Sequence, residues 1–320
     1  MPIIDLGYRA WTGERTSRWV RPLAITQTGL QLVWRTVWLR RLLMFAWLPI
    51  LPVGVGFFIF EQSLNSEAQQ VFLIDVMEDA FQRPDIAEIL RQDPTQARHQ
   101  IWGQMLYSYF RYPQSINMVL LFGLVAPRII SFDIRSRAHL LYFSRPLTVV
   151  EYLIGKALIL ISLLTLTTVI PALTCYLLGV LLSPDLAAFY QTWDFPFRIG
   201  LAAILFALPT ASLAILLSSF THDSRYASFA WFAIWVLGWV TYGVLTSTEL
   251  INNQGASVFA SSTNIRLLSL YHALGDVQAA AFGILADPSE ANSAMMLVGV
   301  ITIVSIVVTY YRVAGQLRLS

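Results

Sequence analysis

Six stretches of this chain run on for roughly twenty residues almost without charge, and that run length restricts the fold more than any other feature. A helix needs about twenty apolar residues to cross the hydrocarbon core of a bilayer. The stretches are Leu42–Phe60, Ser115–Ile130 (with a start reaching back toward Leu106), Tyr152–Leu182, Phe197–Phe220, Ala227–Ser247 and Ala294–Tyr311. The third is too long for a straight crossing, which puts its start in the membrane interface. Composition agrees: 56% of residues are hydrophobic and 12% charged, where a soluble domain carries about 25% charge. The reading is an all-α polytopic membrane protein, one domain over residues 1–320. Pro49, Pro52, Pro171 and Pro209 fall inside spans, where neighbouring helices can satisfy the carbonyls they free.

Orientation follows from where the cations sit. Arg9, Arg15, Arg18, Arg21, Arg35, Arg40 and Arg41 precede the first span, and Arg128, Arg135, Arg137, Arg145 and Lys156 flank the connection between spans two and three. Arg312 and Arg318 follow span six. On the other side, residues 61–112 hold eight acids against four Arg, and residues 248–293 hold Glu249, Asp276, Asp287 and Glu290 against Arg266. Both termini are therefore expected in the cytoplasm. Residues 1–22 contain four Arg and no apolar core, so no cleavable leader is expected. Residues 19–41, with Trp34, Val37 and Trp38 among Arg35, Arg40 and Arg41, read as an interfacial helix with its Arg near lipid phosphate. The external loop 61–112 is expected to form two short amphipathic helices broken at Pro84 and Pro94. The loop 248–293 becomes helix-like around Leu267–Phe282.

Chemistry inside a membrane needs ionisable groups at depth, and the spans look nearly clean. Lys156 and Arg198 lie near span ends, where long side chains snorkel to the interface, and no Asp, Glu or His is placed mid-span. That argues against proton-coupled transport, intramembrane proteolysis and metal-dependent lipid transfer. His99, His139, His222 and His272 have no second ligand at metal spacing. Gly155-Lys156 is followed by Ala157, so no phosphate-binding P-loop is present. Cys175 reads as a packing residue, since nothing nearby would stabilise a thiolate. No clustered, exposed Arg run points to nucleic acid.

Two stripes carry alternatives. Thr165, Thr168 and Ala172, with Thr167 and Thr174 alongside, suit close helix packing or a substrate lining. Trp231, Trp235 and Trp239 recur every fourth residue on span five, with Tyr242 continuing the line, and suit lipid, a subunit interface or a path.

The connection Arg128–Lys156 is too charged for the membrane and too patterned for a passive linker. Asp133 opens it, Ala138–Phe143 suits a short helix parallel to the membrane, and Ser144-Arg145-Pro146 stops that helix. Thr148–Lys156 then restarts a helix with Glu151 in its first turn, favourable for the dipole. Leu141, Tyr142 and Phe143 form an apolar knob between Arg137 and Arg145. The knob either enters a partner's groove or packs beneath the bundle while the Arg side chains bind lipid phosphate.

The run FDIRSRAHLLYFSRPLTVVEYLIGK, Phe132–Lys156, resembles the segment after the second span of type-2 ATP-binding-cassette (ABC) permeases. There an Asp-Arg-Arg-like opening leads through a coupling helix to Ser-Arg-Pro and then Glu-Tyr-Leu-x-Gly-Lys. Many members have Gly-Thr where Arg137-Ala138 stands here. The resemblance implies a permease subunit of an ATP-driven transporter, usually an exporter, in a prokaryotic plasma membrane (the inner one in a Gram-negative cell). It further implies a dimer with an identical or homologous subunit, docked on two cytoplasmic ATPase subunits that bind the ATP and Mg; this chain itself would be neither an enzyme nor a cofactor carrier. Asp133, Arg135, Arg137, Leu141, Tyr142, Phe143, Arg145 and Pro146 would couple to the ATPase. Spans one and five would meet across the dimer, favouring an interfacial Trp231, Trp235 and Trp239. The competing reading is a non-transport scaffold whose external loops dock an extracytoplasmic protein.

Overall fold

The computed structural model describes residues 17, 20–64, 66–80, 83–138, 147–183, 187–251, 262–285 and 288–318. Among these residues the chain is helical, with no strand. Six helices are long and apolar enough to cross a membrane: Val37–Ser63, Pro94–Arg135, Val149–Leu182, Ala187–Phe220, Ser224–Ser247 and Asn292–Gly315. This is an all-α, multi-pass membrane protein.

The second span is longer than the apolar run suggests. Pro94 does break the external loop, as expected, but it does so by starting a helical stretch that runs for 42 residues. Asp93 caps it, its carboxylate accepting from the Thr95 amide at 2.9 Å, and Pro at the first turn forfeits no intrahelical bond. Arg98, His99 and Arg111 therefore lie on this long helix rather than in a loop. Pro84 likewise opens the short helix Pro84–Gln92.

The second and fourth spans form the centre of the bundle, and the first, fifth and sixth lie mostly outside it. One apolar core joins Phe122, Leu160, Phe206, Trp231 and Leu274. A second lies toward the 61–112 side and gathers Phe57, Trp102, Tyr109, Phe110, Phe195 and Phe282, and a small third joins Ile25, Tyr152 and Val313. The helix Leu270–Phe282 does not lie in a loop over the surface. Its Ala273, Leu274 and Val277 are buried in the first core, and it ends at Gly283 in the left-handed region (φ 71°), a conformation glycine adopts without strain.

Three adjacent spans are interrupted and joined at one place. Span one breaks in a turn over residues 46–49, span two holds a π-helical turn at Phe110–Gln114, and span three another at Thr165–Val169. Such π-turns are rare inside α-helices and are frequent at functional sites. Gln114, fully buried, ties the three together: its Nε2 donates to the Ala46 carbonyl at 3.0 Å, and its Oε1 accepts from the Thr168 hydroxyl at 3.3 Å. Prolines are handled as bilayer physics requires. Pro171 cannot bond the Thr167 carbonyl, which the Tyr109 hydroxyl approaches at 3.4 Å. Pro127 frees the Gly123 carbonyl, and the Ser228 hydroxyl donates to it at 3.0 Å.

Candidate functional site: the base of the connection between spans two and three

The end of span two and the start of span three are fastened to each other on both sides of residues 139–146. Asp133, in the last turn of the helix that ends at Arg135, is buried and accepts a hydrogen bond from the Tyr152 hydroxyl at 2.7 Å. The Lys156 ammonium sits 2.7 Å from the same carboxylate oxygen and is also buried. Tyr152 and Lys156 are four apart, so one helix face presents both donors to one acid. A lone buried charge would cost several kcal/mol, and here each ion has its partner within contact distance. Lys156 is thus not a snorkelling residue, contrary to the reading from its position near the span end. The sequence did offer a signal: a single Lys among Arg, one turn after a Tyr.

The helix that carries them starts on a capping box. The Thr148 amide donates to Glu151 at 2.8 Å and the Glu151 amide to the Thr148 hydroxyl at 3.2 Å. Two otherwise unsatisfied amides are bonded reciprocally, a stronger role for Glu151 than the dipole effect alone. Gly155 explains the remaining motif position. The N-terminal helix Val20–Arg35 crosses it so closely that a Cβ there would lie 2.9 Å from both Ile25 Cβ and the Pro22 carbonyl. The Thr26 hydroxyl donates to the Gly155 carbonyl at 3.0 Å. Each of Glu151, Tyr152, Gly155 and Lys156 has a local physical function: cap, clasp, close approach and ion pair.

Of the predicted coupling residues, Asp133 is the acid of this clasp. Arg135 and Arg137 are exposed on the last turn and just beyond it, with Arg137 in the left-handed region (φ 54°), where the chain leaves the helix. Leu141, Tyr142, Phe143, Arg145 and Pro146 lie outside the described residues.

The tryptophan line is not one face. Trp231 is fully buried within the chain, its indole N–H donating to the Val119 carbonyl at 2.9 Å and its ring 6.1 Å from Phe122. Trp235 is buried beside it, with ring centroids 5.5 Å apart. Only Trp239 is exposed, at 62%, and Tyr242 stacks on His272 at 3.6 Å. The threonine stripe serves packing at Thr168 and Ala172, both buried. Cys175 is buried with its sulfur 3.6 Å from the Ile50 carbonyl.

Sequence reasoning missed the buried polar groups toward the other end of the bundle. Arg98 makes a two-pronged pair with Glu61, at 3.1 and 3.0 Å, and also reaches Gln191 at 2.9 Å. Arg111 lies over the Tyr271 ring, 3.7 Å from its centroid, and donates to the Tyr271 carbonyl. Arg266 pairs with Asp276. Burial, with Arg111 and Arg266 nearby, pushes the His272 pKa down to about 4, so this ring is neutral at pH 7. These pairs fasten the helix Leu270–Phe282 and the 61–112 region to the spans. Among the described residues no three His, Cys, Asp or Glu side chains gather as a metal site needs.

No family model and no curated protein sequence matches this chain.

Proposed function

We propose that this chain is the membrane-spanning subunit of an ATP-driven ABC transporter, working as an exporter in a prokaryotic plasma membrane with both termini in the cytoplasm. Two copies, or one copy and a homologue, form the path, and two separate ATPase subunits supply ATP and Mg. The observation that supports this reading best is the clasp of Asp133, Tyr152 and Lys156. A segment that must deliver force from a partner needs stiff attachments at both ends, and here the attachments are a buried ion pair and a capped helix. Push on residues 139–146, and spans two and three must move together. The joined breaks at Ala46, Gln114 and Thr168 lie within these same spans and the neighbouring first span, where bending costs least.

The fine assignments follow from this reading. Leu141, Tyr142 and Phe143 enter a groove on the ATPase, with Arg135, Arg137 and Arg145 against its acidic rim. Val20–Arg35 lies in the cytoplasmic interface. The subunit contact uses the exposed apolar faces of spans one and five, on which Leu51, Val55, Val236 and Trp239 project outward; Trp231 and Trp235 belong to the subunit's own core.

The test is purification from the native membrane and reconstitution with any ATPase that copurifies. The Tyr142→Ala, Phe143→Ala double variant should insert normally, assemble weakly and hydrolyse ATP without transport. Intact assembly and coupled transport would overturn the coupling assignment, and failure to copurify any ATPase would overturn the transporter reading in favour of the scaffold.

A further inference from the structure

Arg128 is an exposed cation on a membrane-spanning helix, about seven residues before that helix ends at Arg135. At 1.5 Å per residue this places it roughly 10 Å inside the helix end. It opens onto a groove of about 280 Å³ between the N-terminal helix and spans two and three. The apolar wall of that groove includes Leu32, Leu39, Leu124 and Val125. The polar groups that line it are few, and all but Arg128 are engaged. Asp133 and Lys156 neutralise each other at 2.7 Å. The Thr28 and Thr36 hydroxyls donate to carbonyls of their own helix, at 2.9 and 3.1 Å. Among the described residues no carboxylate lies within ion-pair distance of Arg128: Asp133, which shares the groove, is committed to Lys156 and Tyr152.

An exposed arginine with no carboxylate partner among the described residues, at the rim of an apolar groove on a membrane-spanning helix, attracts an anionic headgroup. A guanidinium presents a planar fork that fits phosphate oxygens in pairs. Beside it the groove offers apolar walls of the width and character of a hydrocarbon chain. We propose that this groove is a binding site for one anionic phospholipid, its phosphate on Arg128 and an acyl chain along Leu32, Leu124 and Val125. Leu32 and Leu124 stay exposed in the isolated chain, at 64% and 45%, as a surface covered by lipid would be. The site needs only a membrane around the chain and is independent of the transporter reading. Its consequence is structural: a lipid seated there joins the N-terminal helix to span two, next to the clasp of Asp133 and Lys156.

The experiment is native mass spectrometry of the full chain in detergent, titrated with phosphatidylglycerol, phosphatidylcholine or inorganic phosphate. Wild type should retain one tightly bound phosphatidylglycerol, hold phosphatidylcholine more weakly, and not release the lipid to millimolar inorganic phosphate. Arg128→Gln should lose about tenfold in affinity, the size of a charge-assisted contact, while Arg128→Lys loses less and Arg225→Gln, the same charge removed elsewhere, changes it less than about twofold. Leu124→Glu places an acid one turn before Arg128, where it can pair with that arginine, and should also abolish the tight event while leaving the arginine in place. Equal binding by Arg128→Gln or by Leu124→Glu would overturn the site. So would displacement by inorganic phosphate alone, or an equal loss in Arg225→Gln.

Discussion

The side-chain amide of Gln114 donates to the backbone carbonyl of Ala46 at 3.0 Å, joining the break in span one to the π-turn in span two. Gln114→Leu keeps the volume and removes the bond, leaving the Ala46 carbonyl and the Thr168 hydroxyl without this partner. Buried interhelical hydrogen bonds in membranes contribute about 0.6–2 kcal/mol. The variant should unfold at a measurably lower temperature in detergent, and Thr168→Val, which removes only the longer bond, should lose less. Equal stability in both would mean that the breaks are held by packing alone.

The Asp133–Lys156 pair gives a sign as well as a size. Lys156→Met leaves a buried carboxylate and should destabilise by about 3–5 kcal/mol, as breaking buried pairs does. Asp133→Asn leaves a buried ammonium and should cost a similar amount. The double variant should be more stable than the sum of the two losses, because neither charge remains stranded. Additive losses in a thermal-unfolding cycle would show that the pair contributes nothing as a pair.

Gly155 is a close-approach position rather than a flexible one. Gly155→Ala sets a Cβ 2.9 Å from Ile25 Cβ and the Pro22 carbonyl, so Val20–Arg35 must shift. Protease cleavage after Arg21 should quicken in the variant while the spans stay folded. Unchanged cleavage kinetics would mean that the helix accommodates the methyl group in place.

The neutral, buried His272 makes stability depend on acid. Its folded pKa, about 4, lies below the ordinary value of 6.5, so between these values the unfolded chain binds more protons. Stability should therefore be full above pH 6.5, fall as the pH drops toward 4, and flatten below that, an effect on the order of 3 kcal/mol. Arg111, Arg266, Tyr242 and Tyr271 face the ring. His272→Phe should remove most of the slope between pH 6.5 and 4 in urea or thermal unfolding; an unchanged slope would assign the acid sensitivity to other groups.

Cysteines at positions 75 and 287 should react with a membrane-impermeant thiol reagent from outside, and those at 137 and 223 only after permeabilisation. The asymmetry of Arg across the spans motivates the expectation. External labelling at 137 would reverse the orientation and remove the coupling proposal with it.

Run length and charge distribution were enough to determine a six-span helical membrane protein, because the energy of leaving backbone amides unbonded in hydrocarbon admits few other folds. Pro84 and Pro94, expected as breaks, stand at helix starts, because a missing amide hydrogen is harmless only in a first turn. The sequence also singled out Glu151, Tyr152, Gly155 and Lys156 as a pattern. It did not say what they touch. That Lys156 pairs with Asp133 and not with the interface, that Trp231 and Trp235 face inward while Trp239 does not, and that Gln114 joins three spans depend on helix rotation and crossing, which arise from contacts between distant residues. A charge in an apolar run looks the same in sequence whether it snorkels or meets a partner 23 residues away; only the packed bundle brings the partner within 2.7 Å.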